Sequence, residues 1–149
     1  MKGLKWIGLV IVLIAIGVGL MTAMDMGEKS PLFVSGEVVL PEGMRGDATG
    51  VETLFIIVYD EASQMPMPFG AQKEKMPKDL TQPIPFLVTK EALRVMNPDA
   101  PPPRTMRVKV RIDKDGVAGP DQPGDLTGEV TGVAFGTRDQ LIEIKKKAE

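Results

Sequence analysis

The chain begins with a long apolar run and continues with short alternating segments. Residues 6–24 contain no charged side chain and a single conventionally polar one, Thr22. As an α-helix this run would extend about 28 Å, which is close to the thickness of the hydrocarbon core of a bilayer. Two lysines precede the run and two acidic residues follow it, which favours a cytoplasmic N-terminus. We therefore predict one transmembrane helix that sends the rest of the chain across the membrane.

A cleaved signal peptide is the competing interpretation of residues 6–24. Signal peptides have apolar cores of about 7–15 residues and a small-x-small cleavage site. Residues 21–25 (MTAMD) offer no good match, so an anchor is favoured. We predict a cytoplasmic N-terminus at 1–5, an anchor at 6–24, a linker at 25–31 and an extracytoplasmic domain at 32–149. Glycines in the anchor leave contact with other membrane helices open.

Beyond residue 31 the apolar residues recur with a period of two, which is typical of strands. Residues 104–113 give the clearest case, with four apolar side chains on one face and four polar ones on the other: Met106, Val108, Val110 and Ile112 against Thr105, Arg107, Lys109 and Arg111. Further strands are predicted at 33–40, 53–59, 84–89, 129–135 and 141–145, with a weaker one at 71–75. Pro83 and Pro85 place the 84–89 strand at a sheet edge, because proline donates no ladder hydrogen bond.

Only residues 90–97 have a helical pattern, with Thr89 as N-cap and Asn97-Pro98 as the end. Most of the 13 prolines and 16 glycines fall between the predicted strands, as the connections of an all-β domain require. The predicted fold class is all-β: an antiparallel β-sandwich of about six or seven strands with one N-terminal transmembrane helix.

Composition narrows the function classes further. The chain has no histidine and no cysteine, which removes the commonest general base, the commonest metal ligand, the thiol nucleophile and every disulfide. Its 18 Lys and Arg against 20 Asp and Glu give a net charge of −2, whereas nucleic-acid-binding proteins carry a basic excess. We therefore predict a non-enzymatic protein with no catalytic residues, no metal site, no cofactor and no nucleic-acid partner.

Three groups of residues remain candidates for chemistry. Asp113, Asp115, Asp121 and Asp125 lie among glycines, which favours hairpin turns, and the spacing of a helix-loop-helix calcium site fails at its sixth and twelfth positions. Met65, Met67 and Met76 offer thioethers to Cu(I), yet without His or Cys a core or interface role is favoured. Arg104, Arg107, Lys109 and Arg111 form a basic stripe, for which a solvated strand face is favoured over docking of an acidic partner or lipid headgroups.

Four segments together resemble a known family. They are residues 65–69 (MPMPF), 80–89 (LTQPIPFLVT), 108–116 (VKVRIDKDG) and 121–128 (DQPGDLTG). In order and approximate spacing they resemble the C-terminal periplasmic domain of CycH-type cytochrome c biogenesis proteins, over residues 34 to about 144. The QPGDL element at 122–126 is the most specific part. Members of that family usually carry two membrane helices and a tetratricopeptide array ahead of this domain, whereas this chain has one predicted helix and no array.

The resemblance implies a single-pass inner-membrane protein with a periplasmic domain, acting as a non-enzymatic assembly factor for c-type cytochromes. Its partners would be apocytochrome c or components of the haem-attachment machinery. A chain without thiol or imidazole is inert toward a client that carries reduced cysteines and receives haem. The predicted partner-binding residues are Met67, Pro68, Phe69, Arg111, Gln122, Pro123, Gly124 and Asp125. The strand edge at 83–89 is a further docking candidate. The alternative is a structural accessory subunit of a respiratory membrane complex.

Overall fold

The computed structural model describes residues 30–149; the predicted anchor at 6–24 and most of the predicted linker lie outside the described residues. The elements are β1 (Leu32–Val39), α1 (Glu42–Ala48), β2 (Thr53–Asp60), β3 (Gly70–Lys75), β4 (Ile84–Thr89), β5 (Arg94–Val95), β6 (Thr105–Asp113), β7 (Leu126–Ala134), β8 (Thr137–Glu143) and β9 (Lys146–Lys147). Within this part of the chain, no helix is long and apolar enough to cross a membrane.

The described residues form two sheets, which confirms the all-β expectation. The three-stranded sheet has the order β4-β1-β8, and the six-stranded sheet has the order β5-β3-β2-β6-β7-β9. Each of the seven predicted strands overlaps an observed one, although β7 begins three residues before the predicted start and β8 covers 137–143 and not 141–145. The two additional strands, β5 and β9, have two residues each. As predicted from its prolines, β4 lies at an edge of its sheet. One pairing departs from the predicted antiparallel arrangement, because β1 and β8 run parallel.

One hydrophobic core lies between the sheets and draws on both of them. On β6 the predicted inward residues Met106, Val108, Val110 and Ile112 are at most 1% exposed. On β2 the first six residues are buried, so this central strand is covered on both faces, as its near-continuous apolar run indicated. The apolar periodicity therefore identified the core-facing side of these strands correctly.

The C-terminal strand connects the two sheets. The chain turns at Phe135 and Gly136 from β7, in the larger sheet, into β8, in the smaller one. Beyond β8 it returns to the larger sheet, where the Lys145 N–H donates to the Thr127 carbonyl at 2.9 Å. Glycine is required at Gly36 in β1 and at Gly128 in β7, since a Cβ at either position would lie under 3.0 Å from backbone atoms of β8.

The helix predicted at residues 90–97 is wrong. A single turn does form after Thr89, whose Oγ1 accepts from the Ala92 N–H at 3.3 Å. The chain then extends, because Leu93 is drawn into the core and β5 pairs with β3. The described chain instead has its helix at α1, which the sequence pattern missed since two of its seven residues are glycine, a poor helix former.

Two glycine substitutions test the crossing of β1 and β8. Gly36→Ala forces a methyl group into the Gln140 backbone and should cost about 1–3 kcal/mol or more, the range of overpacked sites. Gly46→Ala, inside α1 with open space around it, should stabilise by about 0.5–1 kcal/mol. Urea unfolding followed by circular dichroism measures both. Equal free energies of unfolding for the two variants would contradict the close approach.

Candidate binding surface

The outer face of the six-stranded sheet combines an apolar row with a basic row. The outward residues of β2 are Phe55, Ile57 and Tyr59, and in register they lie beside Arg111, Lys109 and Arg107 of β6. The Arg107 guanidinium stacks 4.0 Å from the Tyr59 ring centre, and Arg111 lies 5.0 Å from that of Phe55. Both distances are within the range of cation–π attraction. Each of these two rings therefore stabilises the arginine side chain that lies over it.

Arg111 is not part of a solvated stripe, because its side chain is 2% exposed. Its Nε lies 2.7 Å from Asp113 Oδ2, a close ion pair in which neither atom makes an aligned hydrogen bond. Its terminal nitrogen donates to the Gly119 carbonyl at 2.6 Å and to Asp121 Oδ1 at 3.2 Å. A desolvated guanidinium is tolerated only with such partners. The expectation of a solvated face is therefore wrong at this position.

The aspartates form turns, as their glycine neighbours indicated. Asp113 Oδ1 accepts the backbone N–H groups of Asp115 and Gly116 at 3.1 and 2.8 Å. Asp125 is fully buried and accepts from the N–H groups of Lys114 and Gln122 at 3.2 and 2.8 Å. These bonds close residues 114–125 into one structured connection, which we call the β6–β7 loop. The described residues contain no group of three acidic side chains arranged to hold a metal ion.

The pKa values of these carboxyl groups move in opposite directions. Burial raises the pKa of Asp113, and its hydrogen bond with Asp115 raises it further. Partial burial also acts to raise the pKa of Asp121, but hydrogen bonds and charges from Lys109 and Arg111 outweigh it and bring the pKa below the ordinary value of 3.8. The site therefore favours a charged Asp121 beside the two cations and disfavours charge on Asp113.

Two lysine side chains hydrogen-bond the β6–β7 loop and position it over the outer face of the six-stranded sheet. Lys73 Nζ, from β3, donates to the Gly116 carbonyl at 2.8 Å. Lys109 Nζ donates to Asp121 Oδ2 at 2.6 Å; Lys109 is half-buried and the Asp121 side chain stays partly exposed. Together with Arg111 these contacts hold the loop at three points along its length. The loop thus covers one part of the sheet and leaves the other part open.

The uncovered part is a groove with a cavity volume of about 520 Å³. Its floor is the apolar row of β2 with Ala71 of β3. Pro68 and Met96 line it, as do residues 118–121 of the β6–β7 loop. The two cations that reach it are already paired with Asp121, so most of the lining available to a ligand is apolar. A larger cavity of about 600 Å³ beside α1 includes none of the predicted contact residues.

The predicted partner-binding residues divide between the two ends of the larger sheet. Residues 67–69 precede β3, whereas residues 122–125 precede β7 and lie beside the C-terminal end of β6. Met67, Gln122 and Pro123 are exposed and Gly124 is half-buried, but Asp125 and Arg111 are buried in the network described above. Phe69 packs its ring 5.8 Å from that of Phe33. Of the eight residues, the groove brings together Pro68 and Arg111.

The methionine group and the edge of β4, the remaining candidates from the sequence, do not form open binding sites in the described residues. Met76 packs in the core while Met65 and Met67 are exposed, so these three thioethers do not share one surface. At the edge of β4, Pro85 has no N–H to donate. The Leu87 carbonyl of the same strand accepts from Gln72 Nε2 at 2.8 Å. The sequence analysis did not identify Ile57, Ala71 and Met96 as groove residues. The signal that could have found them is the near-continuous apolar run at 53–59, which indicates that both faces of β2 are covered.

No family model, no curated protein and no solved structure matches this chain.

The Arg111 network is tested by a matched pair of substitutions. Arg111→Met leaves Asp113 and Asp125 buried without their cation and should cost about 3–5 kcal/mol of unfolding free energy. Arg107→Met removes a surface pair with Glu129 and one ring contact, and should cost about 1 kcal/mol. Urea unfolding measures both. Adding Asp113→Asn to Arg111→Met should recover part of the loss; equal losses for the two single variants would refute the assignment.

Asp121 should make the domain sensitive to acid. Its pKa is lowered in the folded state, so its charge stabilises the fold fully above the ordinary value of 3.8, and this contribution disappears as the pH falls through the lowered pKa. The pKa of Asp113 is raised in the folded state, so protonation of Asp113 at acid pH stabilises the fold, which is the opposite of the effect of Asp121. The difference in unfolding free energy between wild type and Asp121→Asn, measured from about pH 6 to about pH 3, should be constant well above 3.8 and begin to shrink as the pH falls below it. A constant difference across that range would disprove the role of Asp121.

Proposed function

We propose that this chain is a membrane-anchored, non-enzymatic assembly factor for c-type cytochromes. In this proposal residues 6–24 are a single transmembrane helix with a cytoplasmic N-terminus, and the β-domain acts in the periplasm as one sandwich. Its partners are apocytochrome c or proteins of the haem-attachment machinery. The proposal takes its biological context from the resemblance of residues 65–69, 80–89, 108–116 and 121–128 to CycH-type proteins.

The groove on the six-stranded sheet is the observation that supports a binding role. About 520 Å³ falls within the size range of pockets that enclose a ligand group, and it is large enough for one or two bulky side chains of a partner. Its cations are paired with Asp121 and, for Arg111, also with Asp113, and Arg111 donates a further hydrogen bond to the Gly119 carbonyl. An anionic ligand would have to compete with these contacts, whereas an apolar side chain finds Ile57, Ala71 and Met96 available. The proposed occupant is therefore an apolar side chain on a segment of a partner protein.

The position of the groove also favours binding over catalysis. Its charged groups are engaged in ion pairs that fix the β6–β7 loop, and among its remaining lining residues only Tyr59 carries a polar side chain, with the Arg107 guanidinium stacked on its ring. Such a lining recognises shape and apolar area. A chain that holds a client through this groove has no thiol to form a mixed disulfide with that client and no imidazole to bind its haem.

A groove-filling variant tests the proposal in cells. Ala71→Trp places an indole over the β2 floor and should lower the amount of haem-stained c-type cytochrome toward that of a deletion strain. Val117→Trp is the matched control, because Val117 is 64% exposed and lies outside the groove, and it should leave staining at the wild-type level. Both variants must be present in the membrane in equal amounts by immunoblot.

The outcomes separate the two functional hypotheses. A deletion strain with full haem staining would exclude the assembly factor. If the same strain lost one respiratory complex, and the chain copurified with that complex in stoichiometric amounts, the chain would be an accessory subunit. Loss of several unrelated c-type cytochromes, with no stoichiometric complex, would support the assembly role.

A further inference from the structure

The start of β1 marks one end of the domain, which we call the proximal end. Three connections meet there: residues 60–69, 90–104 and 134–138. The Pro31 carbonyl accepts from the Lys90 N–H at 3.0 Å, and the Phe33 carbonyl accepts from the Gly136 N–H at 2.8 Å. The second and third connections therefore lie directly beside the point where the chain enters the domain.

Further contacts fix the three connections to one another. The Met96 N–H donates to the Phe69 carbonyl at 3.0 Å, which joins the second connection to the first. The Phe135 N–H donates to the Arg104 carbonyl at 3.0 Å, which joins the third to the second. The Phe33 ring lies 4.9 Å from the Phe135 ring and 5.8 Å from the Phe69 ring. These aromatic contacts tie the first and third connections to β1, and the bond from the Lys90 N–H to the Pro31 carbonyl holds the second beside the start of that strand.

The proximal end concentrates the exposed apolar side chains of the domain. Among the described residues seven large apolar side chains are exposed, and four of them belong to these connections: Met65, Met67, Met96 and Phe135. We call these four the apolar rim. The other three are scattered, with Leu87 and Leu141 on the smaller sheet and Val117 in the β6–β7 loop. Single exposed apolar residues need no explanation, but a cluster at one end indicates an interaction site.

We propose that the apolar rim inserts into the lipid–water interface of the membrane that holds the chain. The linker at 25–31 has seven residues, and a fully extended chain spans about 3.3–3.6 Å per residue. The start of β1 is therefore within about 25 Å of the end of the predicted anchor. The proximal end is the part of the domain to which this linker is attached directly.

The chemistry of the rim fits a lipid surface. Three of its members are methionines, unbranched side chains that adapt to an irregular apolar environment. The three connections carry four basic residues, Lys90, Arg94, Arg104 and Arg138, and four acidic ones, Asp60, Glu61, Glu91 and Asp99. With charges balanced, no net attraction to anionic lipid is expected, and apolar contact dominates. Insertion should therefore be nearly insensitive to salt.

Cysteine labelling tests this proposal with unusual clarity, because the chain has no native cysteine. Single variants Met65→Cys and Met96→Cys place an environment-sensitive NBD fluorophore on two different connections of the rim. Val117→Cys and Leu141→Cys are the matched controls, exposed to 64% and 56%. Val117 follows the C-terminal end of β6, a nine-residue strand of about 30 Å that begins at the proximal end. The full-length chain is reconstituted in phosphatidylcholine vesicles that contain lipids with a spin label near the headgroup.

The expected result is a graded one. NBD at positions 65 and 96 should be blue-shifted and several-fold more strongly quenched by the spin-labelled lipid than NBD at 141 or 117. The control labels should instead be quenched by aqueous iodide. The pattern should persist between about 50 and about 500 mM salt, a range over which surface charges become strongly screened.

Three results would overturn the proposal. Equal, water-like spectra at all four positions would show that the rim stays in solution. Shielding of positions 65 and 96 from iodide without quenching by lipid would show that protein, including a second copy of this chain, covers the rim. Failure of the chain to incorporate into vesicles would show that residues 6–24 do not anchor it, and the proposal would lose its premise. The proposal shares the predicted anchor and Met96 with the proposed function, but its readout is lipid quenching and not haem staining, so the two fail separately.

Discussion

The buried guanidinium of Arg111 is the constraint on which the outer surface of the larger sheet depends. A charge that is almost fully desolvated destabilises the fold unless carboxylates and carbonyls surround it. Those partners come from Asp113, at the end of β6, and from Gly119 and Asp121, within the following loop. The loop must therefore fold back over its own strand. By covering one part of the sheet and stopping short of Pro68 and Met96, it forms the wall of the groove.

A second constraint comes from the two sheet crossings near the C-terminus. β8 pairs with β1 in the smaller sheet, and β9, which follows it directly, pairs with β7 in the larger sheet. The C-terminal segment therefore joins the two sheets. Backbone approaches this close leave no room for a side chain at Gly36 or Gly128. The segment after β9 also supports the β6–β7 loop, since the Gly124 N–H donates to the Ala148 carbonyl at 2.8 Å. The segment that joins the two sheets therefore also holds the β6–β7 loop in position.

Alternation along the sequence predicted the seven longer strands and the core face of β6, since a period of two follows directly from strand geometry. The same pattern misassigned Arg111, because alternation identifies which side of a strand a residue occupies and not what covers that side. The helix at 90–97 was wrong for a related reason: burial of Leu93 and pairing of β5 with β3 override a weak local preference. The parallel contact of β1 with β8 joins distant segments, and no local pattern encodes it.

The segment at 122–126 shows where function must be sought in this domain. Gln122 donates its backbone N–H to Asp125, Gly124 adopts a φ of 94°, which favours glycine, and Leu126 lies in the core. Most of the motif is thus used to close a turn beneath the buried arginine, and its specificity is explained by folding. Residues with no such structural duty are the ones free to meet a partner. In the described domain these include the exposed methionines at 65, 67 and 96, which make no comparable contribution to the fold, whereas Ile57 in the groove floor is buried.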